Sequence, residues 1–230
     1  MLLHANNLFP QNYNYKFDKY TTSDGLSSNT ITCIIKDKSG FIWIGTIDGL
    51  HRFDGSRFKI YHPERDDQYS ISDSWVNQIC DDDDYLWVGT PNGLNKFDKA
   101  TEQFIKYRFN ADDNASFSND FVTAIYCTKK NGIWIGTEDG LNLFDRSTGK
   151  VKRFKNNPDD KTSSLSHNFI KALYEDNEGH LWIGTYGGGL NRYDEKNNTF
   201  KHYKFNSENP SSLSNDFIEV LLLTVPETSG

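Results

Sequence analysis

Three features of the sequence predict an all-β fold, a β-propeller of four-stranded antiparallel blades. A tryptophan–glycine block recurs four times at a near-constant period, short strand-like segments are punctuated by Gly, Asn and Asp, and no stretch sustains a helical apolar period. The expected architecture is an incomplete ring of four complete blades with an extra strand at each end. The block reads WIGTIDGLHRFD from Trp43, WVGTPNGLNKFD from Trp87, WIGTEDGLNLFD from Trp134 and WIGTYGGGLNRYD from Trp182, at intervals of 44, 47 and 48 residues. A second landmark keeps the same period, with Ile71, Phe117, Leu165 and Leu213 in the segments SIS, SFS, SLS and SLS. Leu26, in GLSS, precedes the first of these by 45 residues.

Taken from the N-terminus, residues 1–13 form an extension and residues 14–22 (NYKFDKYTT) an outermost strand without companions. Blades follow over about 30–62, 75–109, 120–155 and 168–205, and an innermost strand over 216–223 precedes a tail at 224–230. Within each blade, segments rich in aromatic and β-branched residues alternate with turn residues. The second turn is Asp48-Gly49, Asn92-Gly93 or Asp139-Gly140, a pair suited to a type I′ hairpin. The third turn opens with Asp54, Asp98, Asp145 or Asp194, whose carboxylate can cap backbone amides. Radial blades bury both faces against their neighbours, so each tryptophan is expected to lie over the bare glycine backbone of the next blade. The apolar faces of the end blades predict self-association or a homodimer.

Composition narrows the function. The formal charge is −7 from 25 Lys and Arg against 32 Asp and Glu, which disfavours nucleic acid as a partner. Aromatics at 14% exclude a disordered chain. The longest apolar run is Val220–Leu223, too short to span a bilayer, so no direct membrane contact is expected. The opening residues MLLHANNLFPQ contain neither a charged n-region nor a continuous apolar h-region, so no signal peptide is expected there.

The block D-x-x-G-x-[IL]-W-[IV]-G-T-x-x-G-L-x-x-[FY]-D, nearly whole from Asp37 and from Asp176, resembles the two-component regulator propeller repeat. The segment from Phe17 to Tyr61 looks like the first blade of the sensor half of bacterial hybrid two-component systems of Bacteroidetes. That resemblance implies a periplasmic location, a non-enzymatic ligand-binding role in signal transduction, and an oligosaccharide as the sensed ligand. It also implies a histidine kinase elsewhere in the parent protein. The alternative function is a protein–protein interaction scaffold without a small-molecule ligand.

The chemistry-bearing residues are read mostly as architecture. Cys33, Cys80 and Cys127 recur at 47-residue spacing but stand 10, 7 and 7 residues before their tryptophans. Those unequal registers, an odd count and the absence of CxxC favour small buried strand residues over a disulfide or metal site. The turn aspartates recur in every blade, unlike a catalytic pair. Asp81–Asp84 lacks the Gly and distal Glu of a calcium loop. The six histidines have no metal spacing, and His51 occupies the position of Asn95, Asn142 and Asn191. No catalytic residue, metal ion or cofactor is expected. A ligand is expected where blades differ, at the end of the ring carrying the inter-blade connections and the second turns. The candidate binding residues are Trp75, Tyr186, His167, Asn168, Asp120 and Asn29.

Overall fold

The computed structural model describes residues 16–128, 132–160 and 162–222. Among the described residues, sixteen strands form four sheets, each a meander of four consecutive antiparallel strands. Blade 1 comprises β1 (Ile31–Lys36), β2 (Ile42–Thr46), β3 (Gly49–Phe53) and β4 (Phe58–Tyr61). Blade 2 comprises β5 (Gln78–Asp82), β6 (Tyr85–Thr90), β7 (Gly93–Asp98) and β8 (Phe104–Tyr107). Blade 3 comprises β9 (Val122–Cys127), β10 (Gly132–Thr137), β11 (Gly140–Asp145) and β12 (Val151–Phe154). Blade 4 comprises β13 (Ile170–Glu175), β14 (Leu181–Thr185), β15 (Leu190–Asp194) and β16 (Thr199–Tyr203). Successive inner strands β1, β5, β9 and β13 are neighbours, which is the radial arrangement of a propeller.

The core consists of three seams between successive blades. At each, the block tryptophan of one blade meets an aromatic ring of the next edge-on: Trp43 with Phe97 at 5.4 Å, Trp87 with Phe144 at 5.4 Å, and Trp134 with Tyr193 at 5.5 Å. The rings do not lie over glycine as expected. The block glycines instead receive a β-branched residue from the next inner strand. A Cβ on Gly89 would stand 2.5 Å from Val122, and one on Gly136 would stand 2.5 Å from Ile170. Glycine is required there because the side chain from the next inner strand fills the space a Cβ would take.

Local polar bonds repeat with the blades. Asp37 accepts the Trp43 indole N–H at 2.8 Å, Asp82 that of Trp87 at 3.1 Å, and Asp176 that of Trp182 at 2.7 Å. The third-turn aspartates cap as expected; Asp54 accepts from the amides of Ser56 and Arg57 at 2.8 and 2.7 Å. The second turn differs from a type I′ hairpin, because positive φ is confined to its glycine (Gly49 at 112°, Gly93 at 109°). The threonine of the block closes this bend, Thr46 Oγ1 accepting from Asp48 N at 2.9 Å. His51 is fully buried and substitutes for asparagine, its Nε2 accepting from Ser27 N at 3.0 Å as Asn95 Oδ1 accepts from Ser72 N at 2.9 Å.

Two further expectations are corrected. No extra strand forms at either end among the described residues. Residues 16–21 lie outside any sheet, Thr22–Asp24 is a short 3₁₀ turn, and Phe217 makes a single bridge to Tyr186. Each segment lacks a neighbouring strand in a sheet of its own, so no ladder can build. Tyr20 nevertheless packs edge-on against Phe53 at 5.0 Å, taking the place a block tryptophan takes elsewhere. Ile218 likewise abuts Gly184 as Ile170 abuts Gly136.

The second correction concerns cysteine. The three registers do differ, with Cys33 opposite Gly45, Cys80 opposite Trp87 and Cys127 opposite Ile133. Yet Cys80 and Cys127 form a disulfide between β5 and β9, their Cα atoms 6.2 Å apart. Trp87 faces blade 3 and Ile133 faces blade 2 within one core cluster. A one-residue offset reverses the face of a strand residue, so it turns the two thiols toward each other. Cys33 remains a thiol, and burial pushes its pKa up to about 11.

Candidate functional site: the rim of the inner strands

One end of the ring is built from the entries to the inner strands and the second turns. Thr30, Trp75, Phe121, Phe169 and Phe217 occupy the entries, and Ile47, Pro91, Glu138 and Tyr186 occupy the turns. Backbone bonds join the two sets, Tyr186 N donating to Phe169 O at 2.9 Å and Glu138 N to Phe121 O at 3.3 Å. Further bonds stitch neighbouring blades at this rim. The second-turn glycine amide of each blade donates to the next entry, as in Gly93 N to Asp120 O at 2.9 Å and Gly140 N to Asn168 O at 2.8 Å. A stiff backbone therefore carries a set of side chains that differs from blade to blade.

Four of the six predicted binding residues are engaged in holding this rim. Asn29, Asp120 and Asn168 share one role, each Oδ1 accepting a backbone amide from the preceding loop: Thr22 N at 3.1 Å, Phe109 N at 2.7 Å and Asn156 N at 2.7 Å. Asp216 does the same with Phe205 N at 2.7 Å. Asn168 also donates from Nδ2 to Asp139 at 3.0 Å, which pairs with Lys155 at 2.6 Å. His167 Nδ1 accepts from Phe169 N at 3.0 Å, reproducing the turn that Asn119 makes with Phe121 N at 2.7 Å.

Trp75 and Tyr186 are placed differently. Trp75 is 46% exposed, and its ring nitrogen makes no hydrogen bond among the described residues. Tyr186 is 43% exposed and stands between two rings, Phe169 at 5.3 Å and Phe217 at 4.7 Å. The extra residue in the Gly187–Gly189 turn carries Tyr186 into that position; Gly187 and Gly189 both take positive φ. Phe169, Phe217 and the exposed Ile47 complete the apolar part of the rim. Individual ranking of sequence positions missed Phe169 and Phe217, because each matches the repeat pattern and gains its meaning from the inserted turn beside it.

The arrangement offers flat aromatic surface beside backbone and carboxylate acceptors, with Glu138 exposed on the same rim. No cluster of three His, Cys, Asp or Glu side chains able to hold a metal ion exists among the described residues. The Asp81–Asp84 run is a paired turn, with Asp81 bound to Lys99 at 2.5 Å, Asp82 to Arg146 at 3.0 Å and Asp83 to Lys38. No helix among the described residues is long and apolar enough to cross a membrane.

Three stretches, residues 25–48, 116–139 and 164–187, match the two component regulator propeller family. The chain is 47% identical over 68 residues to histidine kinase P4 of Formosa agariphila, a match covering 30% of this chain and 5% of that protein. Among solved structures it resembles the extracellular domain of a hybrid two component system from B. thetaiotaomicron. That pair has a TM-score of 0.73 and 29% identity, over 81% of this chain and 26% of the other. The WD40 β-propeller domain of Doa1 shares the fold alone, with a TM-score of 0.51 and 12% identity over 73% of this chain and 50% of that one. The chain thus spans only a small part of the relatives it matches. Repeated sequence block, radial sheets and these matches agree: the chain is a β-propeller in which three stretches match the two component regulator propeller repeat.

Proposed function

We propose that the chain is the ligand-binding part of a hybrid two-component sensor, non-enzymatic itself, and that its rim binds an oligosaccharide in the periplasm. The observation that carries this reading is the division of the repeat. The block tryptophans and glycines that agree between blades pack at the seams, whereas the exposed rim holds Ile47, Trp75, Glu138 and Tyr186 where blades disagree. Aromatic faces suit the C–H surfaces of pyranose rings, and adjacent acceptors suit their hydroxyls. Similarity to an extracellular domain supports the compartment, as does the Cys80–Cys127 disulfide, a bond favoured by oxidising surroundings. Binding would bias one arrangement of the parent protein over another and requires no chemistry on the ligand.

Calorimetry of this chain against a panel of plant and host oligosaccharides tests the reading. Saturable binding to at least one glycan is expected, weakened about tenfold by Trp75→Ala and by Tyr186→Ala. Thermal stability should stay unchanged in both variants, because both side chains are substantially exposed. Silence across the panel, or undiminished affinity in both variants, rejects the proposal.

A second reading, self-association, is favoured by Trp182. It alone among the block tryptophans is only half-buried, since no further blade covers it among the described residues. Light scattering after size exclusion should then give a mass above 26.5 kDa that falls on Trp182→Asp. A monomer at all concentrations dismisses it.

A further inference from the structure

Each junction between blades brings three positions together at the rim: the residue after the outermost strand, the second turn beside it, and the residue before the next entry. Where blade 3 meets blade 4 these are Lys155, Asp139 and Asn168. The Asp139 carboxylate bridges the other two, with Oδ2 lying 2.6 Å from Lys155 Nζ and Oδ1 accepting from Asn168 Nδ2 at 3.0 Å.

The backbone of that junction is repeated after blade 4. Asp216 Oδ1 accepts from Phe205 N at 2.7 Å, as Asn168 Oδ1 accepts from Asn156 N at 2.7 Å. Gly189 N donates to Asp216 O at 2.8 Å, as Gly140 N donates to Asn168 O at 2.8 Å. Thr185 Oγ1 accepts from Gly188 N at 3.1 Å, as Thr137 Oγ1 accepts from Asp139 N at 3.2 Å. Lys204 follows β16 as Lys155 follows β12. Only the bridging carboxylate is missing, because Gly188 stands in the place of Asp139. The turn excludes a substitute for it: Gly187 and Gly189 have φ of 106° and 76°, and a Cβ on Gly188 would lie 2.6 Å from His167 Cβ. Lys204 Nζ and Asp216 Oδ2 accordingly make no hydrogen bond or ion pair among the described residues.

The two side chains set the chemistry of a guest. A group taking the place of Asp139 here must accept from an ammonium and, because a carboxylate replaces the Asn168 amide, donate to Asp216. A hydroxyl does both, and two neighbouring hydroxyls share the tasks. A guest carboxylate only accepts, and it would meet Asp216 charge to charge. The rings of Tyr186 and Phe217 stand beside the turn, their centroids 4.7 Å apart. We propose that Lys204 and Asp216 form a hydroxyl-selective subsite at the edge of the rim, which takes the ring hydroxyls of a neutral sugar packed against Tyr186 and rejects uronic acids. The proposal rests on the reading of the rim as a glycan site and goes further by naming the class of glycan.

The test is titration of the 230-residue chain with neutral oligosaccharides of glucose, galactose and mannose, and with the same sugars oxidised to carboxylates at C6. Binding is followed by the amide resonances of Gly187 and Gly189. The best neutral glycan should bind about tenfold more tightly than its oxidised counterpart, and Lys204→Ala should weaken it about tenfold. Asp216→Asn keeps the oxygen that accepts from Phe205 N and turns the other acceptor into an amide donor, reproducing Asn168. That variant should invert the preference, so that the oxidised glycan binds more tightly. A natural chain that binds the oxidised form equally or better overturns the proposal, as does an Asp216→Asn variant with unchanged preference. Binding that Trp75→Ala weakens and Lys204→Ala leaves intact overturns the subsite alone. Silence toward every glycan overturns the subsite together with the reading of the rim.

Discussion

His51 shows how one substitution in a repeat changes chemistry without changing geometry. Its Nε2 serves as an asparagine carbonyl does in the other blades, but the imidazole titrates and the amide does not. Burial depresses its pKa below the usual histidine value of 6.5, and His62 nearby adds to that effect. The unfolded chain therefore binds this proton more readily than the folded one, so stability rises with pH across the interval between the two values. As pH falls below about 6.5 the folded state should lose stability. Thermal midpoints measured at pH 7.5 and 5.0 should show this decline in the natural chain and a smaller one in His51→Asn. Equal declines would remove His51 as the cause. At the same scale, Cys33 is an inert thiol: burial raises its pKa to about 11, leaving little thiolate at neutral pH.

Among the elements, glycine has two distinct uses that substitution can separate. Gly136 in β10 has ordinary backbone angles, but a Cβ there would lie 2.5 Å from Ile170 Cγ2 and 2.8 Å from its Cβ. Gly179, in the turn before β14, has φ of 83° and open space around it. Gly136→Ala should cost about 1–3 kcal/mol by overpacking the seam, and a larger residue should cost more. Gly179→Ala should cost about 1 kcal/mol through backbone strain, and Gly179→Asn should cost less because asparagine tolerates the left-handed region. Denaturant unfolding of the four variants distinguishes the two mechanisms; equal costs for Asn and Ala at 179 would refute the second. The strands themselves were legible from residue pattern, because alternation and turn chemistry are local. The seam contacts were not: that Val122 and Ile170, rather than the tryptophans, sit over glycine depends on how neighbouring sheets slide past one another.

Over the whole molecule, stability is a sum over seams, as in other repeat proteins. Trp87 is buried in the second seam, whereas Trp182 has no further blade over it among the described residues. Trp87→Ala should therefore destabilise by about 3–5 kcal/mol, the range for emptying a large core site. Trp182→Ala should cost well under half of that. Similar losses at both positions would mean that something covers the face of blade 4. The disulfide adds a covalent tie across the second seam, so reduction should loosen blades 2 and 3 before the others.

The residues alone determined that this chain is a propeller of four blades, because a period of about 45 residues with four strands per unit has few other ways to bury its apolar faces. They also identified which positions serve architecture, since recurrence in every unit is visible without coordinates. Tertiary structure decided the rest. It decided that Asn29, Asp120, Asn168 and His167 hold loops, that Phe169 and Phe217 flank Tyr186, and that Cys80 meets Cys127. Each of these depends on which side chains from different blades come to face one another, a relation set by the packing of sheets around an axis and written in no single stretch of chain.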